Sequence, residues 1–195
     1  MMEEPTPGLQ KLQEDLEILK TMAAQMAAYL PSDVLFWPLH SVTMPRLTLG
    51  GYLMRQHRLV ALFNLLTQEQ QNQLQAAMTE YHTALEDRTV IFEQKAHKEL
   101  DSRLRQWSEH LRDMRADRGR AVNYATAAEI RVMIEVMMQQ LQKFPYQLSS
   151  EYVYRLKNVD SGLLARWRKG PFVWPEEWQS AYPQTEFWWL YGEPK

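Results

Sequence analysis

No cysteine occurs anywhere in the chain. That excludes a disulfide framework, a thiolate metal site and a cysteine nucleophile, and it agrees with a reducing compartment. Glycine is scarce, at 7 of 195 residues, and β-branched runs are few, so helix is favoured over sheet. Charge of one sign is also missing. The formal net charge of −2 is too small to steer the whole molecule toward DNA or anionic lipid. The most apolar stretch, residues 59–66, falls far short of the roughly 20 residues that cross a bilayer. The opening MMEEPTPG has neither the basic start nor the apolar run of a secretory signal. Together these absences predict a cytoplasmic protein with no membrane contact.

What is present is an ordinary supply of core. Hydrophobic residues make up 45% and charged residues 24%, which argues against disorder and for one domain. Leu9, Leu12, Leu16, Leu19, Ala23, Met26 and Leu30 recur at alternating spacings of three and four, the pattern of a helix with one narrow apolar seam. Thr6 is its natural cap, Pro7 suits its first turn and Pro31 stops it. Residues 31–46 carry three prolines around Phe36 and Trp37 and read as an ordered loop. A second helix is expected over residues 49–66, with Tyr52, Leu59, Phe63 and Leu66 inward.

Thr67 and Gln70 form a capping-box pattern that opens a very long helical stretch, with one drifting apolar stripe from Leu74 to Met114. Unbroken from 68 to 116, this helix would be roughly 70 Å long, more than a compact domain of this size holds. It therefore either breaks near Asp87–Thr89 or projects as an arm. A turn is expected at Asp117-Arg118-Gly119-Arg120, then a second capping box at Thr126 and Glu129, and a helix ended by Pro145. Beyond it the pattern predicts short helices over about 150–157 and over 161–168 opened by Asp160, a stop at Gly170-Pro171, and another helix from Pro175. The predicted fold is all-α: an antiparallel helical bundle over 1–145 with a long central hairpin, capped by an aromatic-rich region of short helices over 146–195, packed as one domain.

Candidate chemistry is thin. Glu86, Glu93 and His97 are the best metal candidates, since side chains four apart share a helix face. No Glu-x-x-His or His-Glu-x-x-His accompanies them, so neither a metal nor a cofactor is expected. Gly50 and Gly51 opening a helix, with Arg55, His57 and Arg58 behind, form a possible anion site, or simply a close helix contact. Arg103, Arg105, Arg112, Arg115, Arg118 and Arg120 alternate with Asp101, Glu109, Asp113 and Asp117, which describes a salt-bridged face better than a phosphate track. Arg166-Trp167-Arg168-Lys169, with Arg155 and Lys157 upstream, is a cleaner basic patch with a base-stacking residue. There is no Gly-x-Ser-x-Gly and no catalytic residue to name.

The most unusual feature is the aromatic C-terminus, which holds five of the seven tryptophans. Such a tail either completes the core or presents a contact surface. The leading expectation is a non-enzymatic interaction protein, self-associating as a homodimer through Trp107, Leu111, Trp167, Arg168, Trp174, Trp178, Trp188 and Trp189. The alternatives are a helical-bundle protein that binds a metal or small molecule, and a binder of single-stranded nucleic acid, which the near-neutral charge disfavours.

Overall fold

The computed structural model describes residues 6–115 and 124–195. The turn expected at Asp117–Arg120, with its arginines, lies outside them, as does the side chain of Arg115. Six α-helices are described: α1 (Pro7–Tyr29), α2 (Leu49–Ala61), α3 (Gln68–Leu85), α4 (Thr89–Arg115), α5 (Tyr124–Leu141) and α6 (Ser150–Leu164). Strand β1 (Trp167–Phe172), 3-10 turns at Glu176–Ala181 and Trp188–Leu190, and strand β2 (Tyr191–Pro194) follow.

Local chemistry explains most of the boundaries. Thr6 accepts the Leu9 amide, and Pro7 opens α1 where its missing N–H costs nothing. At α3 the capping box is complete: Gln70 N–H donates to Thr67 Oγ1, and Thr67 N–H donates to Gln70 Oε1 at 2.9 Å. The long stretch breaks at Glu86–Arg88. Glu86 is extended, Asp87 takes a left-handed φ of 58°, and Arg88 donates to the Ala84 carbonyl at 2.8 Å. Asp tolerates that conformation better than most residues. No 70 Å arm exists, because α4 has 27 residues and is about 40 Å long.

Contacts set the helix directions. Lys20 meets Gln73, and Arg88 reaches the Ala27 carbonyl, so α1 and α3 run parallel. Trp107 meets Tyr124 at the start of α5, while Phe92 meets Tyr146 just beyond its end, so α4 and α5 run in opposite directions. α2 contacts α1, α4 and α5, and α6 rests on α4. Leu12, Leu16, Leu19, Ala23, Met26 and Leu30 of the α1 seam are all buried inside the chain.

The all-α expectation needs correcting at the C-terminus. β1 and β2 pair antiparallel, with Trp167 opposite Pro194 and Arg168 opposite Glu193. Gly170-Pro171 therefore sits within a strand. Proline is tolerated there because every strand of a two-stranded sheet is an edge. Residues 150–164 form one helix, not two. Asp160, read as a cap, is inside α6 and turns its carboxylate to Arg131 on α5. Thr126 lies inside α5, not at its start. Pro175 precedes a 3-10 turn where an α-helix was expected. The chain is thus mostly helical, with a small C-terminal sheet. Among the described residues, no helix is long and apolar enough to cross a membrane.

Candidate functional site

Charged side chains on the inner faces of α1 and α2 form the most unusual buried group. Asp15, one turn from Leu12 and Leu19, is buried. One carboxylate oxygen faces Arg55 Nε at 3.1 Å, and the other accepts from Arg58 Nη1. Arg58 is only 2% exposed. Its Nε donates to the Tyr182 hydroxyl at 3.0 Å, and its guanidinium lies 3.7 Å from the Trp178 ring centroid and 5.2 Å from that of Trp174. Burial works against the charge on Arg58, but Tyr182 and Asp15 outweigh it and hold the pKa above its usual value. For Arg55 burial wins over Asp15, and the pKa falls. Two nitrogens are left over: Arg58 Nη2 and Arg55 Nε are buried with no hydrogen-bond partner, the approach of Arg55 Nε to Asp15 being an ion pair. An unpaired buried donor on a charged group is costly and calls for an acceptor.

That arginine lines a cleft of about 560 Å³. Ligand pockets span roughly 300–1,000 Å³, so a small organic molecule fits. α1 supplies Lys11, Glu14, Asp15 and Ile18; α2 supplies Arg55 and Arg58; α5 supplies Thr126 and Glu129; Val173 to Trp178 close the remaining side. Burial raises the pKa of Glu129 more than Arg58 and Arg55 lower it. The aromatic wall is pinned at both ends. Trp174 Nε1 donates to the Ala125 carbonyl at 2.8 Å, and Trp178 Nε1 donates to the Gly8 carbonyl at 3.0 Å. A Cβ at Gly8 would stand 3.0 Å from Pro175 Cβ and 2.5 Å from a carboxylate oxygen of Glu177, so the glycine lets these two residues pack close to α1.

The expected anion site at the start of α2 holds an anion already, one supplied by the chain itself. Glu99 of α4 is fully buried and accepts the Gly50 amide through both oxygens, at 3.2 Å each. Arg103 donates to it at 3.2 Å. A carboxylate at a helix N-terminus satisfies an orphan amide and complements the helix dipole. Arg55 Nη1 donates to the Gly51 carbonyl at 2.9 Å, Arg58 turns to Asp15 and Tyr182, and the Nε2–H of His57 donates to the Ala181 carbonyl at 2.7 Å.

The metal candidates are not brought together. Glu93 accepts the Gln147 amide at 2.9 Å, His97 accepts the Ser149 amide and stacks on Tyr152, and Glu86 sits at the break before α4. Among the described residues, no three metal-ligating side chains cluster. Two arginines of the basic patch have acidic partners. Arg155 pairs with Asp101, Arg168 with Glu193, and Arg166 donates to the Lys195 and Leu111 carbonyls. Trp167 stands edge-on to Trp188 at 5.3 Å.

Half of the contact candidates lie inside. Trp107, Leu111, Trp178 and Trp189 are buried, Trp167, Trp174 and Trp188 are half-buried, and Arg168 is exposed. Trp107 Nε1 donates to Asp160, which also receives the Arg131 guanidinium, and Arg131 stacks on Trp189 at 3.8 Å. The aromatic tail thus closes two buried arginines, Arg58 and Arg131, onto the helices. Sequence reading missed Asp15 and Glu129 and placed Arg58 in the wrong site. The usable signal was a charge set within an apolar stripe, as Asp15 is between Leu12 and Leu19.

Comparison with protein-family models, with curated proteins and with solved structures finds no match to this chain, so function is argued from geometry.

Proposed function

We propose that this chain is a small-molecule-binding protein whose site is the cleft between α1, α2, α5 and residues 173–178, with Arg58 as its anchor for a negatively charged ligand group. The observation that carries this reading is Arg58 Nη2, a buried guanidinium nitrogen without an acceptor in a wall of that cleft. The other guanidinium nitrogens are directed by Asp15 and Tyr182, and the ring of Trp178 fixes its plane. A donor so pre-organised gives up little entropy on binding. Asp15 has an arginine beside each oxygen, so its carboxylate is already engaged within the chain. The test is titration of the purified protein with small carboxylates, phosphate among the controls, followed by tryptophan fluorescence and melting temperature. Saturable binding by a carboxylate, blocked by Thr126→Phe at the exposed rim, supports the reading. No response to any of them overturns it.

Self-association as a homodimer in the cytoplasm is a second reading, supported by the exposed Phe144 and the exposed Val90 and Ile91 on α4. It has lost the long arm and the α1 seam as its interface. A dimer mass by light scattering supports it, and a monomer at micromolar concentration removes it.

A further inference from the structure

We propose that the occupant of the Arg58 cleft is an α-amino acid with an apolar side chain, its carboxylate on Arg58 and its ammonium group on the Glu129 side. This rests on the binding reading above and narrows it to one ligand class.

The charge balance of the lining carries the argument. Lys11, Arg55 and Arg58 supply three cations, and Glu14, Asp15 and Glu129 supply three anions. Formal neutrality is a poor match for a polyphosphate, which would meet the carboxylates as like charges in a partly dry site. A neutral apolar ligand is equally poor, because it would leave Arg58 Nη2 without an acceptor and bury the half-buried Glu129 carboxylate without a partner. A zwitterion answers both ends. Its carboxylate offers an acceptor to Arg58 Nη2, which with Arg55 Nε makes two guanidinium nitrogens of the lining that lack a hydrogen-bond partner. Its ammonium group faces a carboxylate that Arg55 and Arg58 compensate incompletely. Asp15 does not compete for the ammonium group, since both its oxygens are held by arginines.

The rest of the lining suits the third part of such a molecule. Ile18, Val173, Trp174 and Pro175 form an apolar side of the same cleft. Trp174 keeps its N–H on the Ala125 carbonyl, which leaves ring surface as its contribution to the lining. The volume, about 560 Å³, holds an amino acid as large as phenylalanine or tryptophan.

The experiment is calorimetric titration of the full chain with L-phenylalanine, with 3-phenylpropionate, which lacks the ammonium group, and with phenethylamine, which lacks the carboxylate. L-Leucine and L-methionine probe the apolar side. The expected result is that at least one amino acid binds, and that each one-charge analogue binds at least tenfold more weakly. Glu129→Gln, a change at a half-buried position, should weaken amino-acid binding about tenfold and leave 3-phenylpropionate unchanged. Equal binding of 3-phenylpropionate and phenylalanine would overturn the zwitterion and leave the anion site standing. Absence of binding by every amino acid, with carboxylates still bound in the earlier titration, would do the same. Absence of binding by all probes in both titrations would overturn both readings.

Discussion

Asp15→Ala is the sharpest probe of the energetics. The substitution removes the acceptor of Arg58 Nη1 and the carboxylate facing Arg55, leaving two largely buried guanidiniums with less to hold them. Breaking a buried pair by deleting one partner costs about 3–5 kcal/mol, because the survivor keeps its desolvation penalty. In a chain of this size each kcal/mol moves the melting temperature by about 2–4 °C, so a fall of roughly 6–20 °C is expected. Urea denaturation should show the midpoint falling at constant slope. The companion variant is Asp15→Leu with Arg58→Met, which removes the pair and fills the space with apolar groups. Such replacements are often neutral, so the double variant should recover well over half of the loss. Arg55, less deeply buried than Arg58, tolerates the absence of Asp15 better. A single variant that loses under about 1 kcal/mol, or a double variant no better than the single, would refute the reasoning.

Gly50→Ala should destabilise by about 1–3 kcal/mol, since the new Cβ would stand 2.8 Å from Glu99 Oε1 and 3.0 Å from Met133 Cβ. A neutral effect by thermal melting would mean that Glu99 moves freely, contrary to its two contacts with the Gly50 amide. Glu129→Gln tests the titration of the cleft. Burial holds the folded pKa of Glu129 above its ordinary 4.5, so its favourable contribution is complete below that value and is lost as pH rises through the raised one. The variant should match the parent near about pH 4 and melt higher near about pH 8. A lower melting temperature at the alkaline end would show that the arginines make the ionised form net stabilising. Asp160→Ala should cost about 1–3 kcal/mol, because it leaves Arg131 beneath Trp189 with Glu135 as its remaining carboxylate and frees the Trp107 N–H; unchanged urea midpoints would reject that assignment.

The parts of the fold legible in the sequence are those set within a few residues. Thr6 and Pro7, the Thr67 capping box and the ends near Pro31 and Pro145 follow from neighbours in the chain, and the break near Asp87 was one of two open outcomes. The parts that were not legible depend on distant partners. Asp160 looks like a helix cap because nothing nearby in sequence reveals Arg131. Residues 167 and 168 look like a helix end and Gly170-Pro171 like its stop, because the partner strand of Trp167–Phe172 begins nineteen residues beyond its end. The aromatic tail could be counted from sequence but not placed, since burial and display use the same residues. The cleft was hidden for the same reason, as its acids and bases come from three helices, α1, α2 and α5, that are far apart in the chain.

The hydrogen bond from Trp178 to the Gly8 carbonyl joins residues 170 positions apart. Ribosomes add roughly 5–20 residues per second, so α1 waits on the order of ten seconds or more for the wall that shelters Arg58. Until then, Asp15 and its arginines are shielded by helices alone, and the cleft has three sides. If the cleft binds as proposed, ligand capture would report that synthesis has passed Trp178 and that residues 173–178 have docked beside α1. A nascent chain arrested before that point would keep much of its helical signal and lose binding.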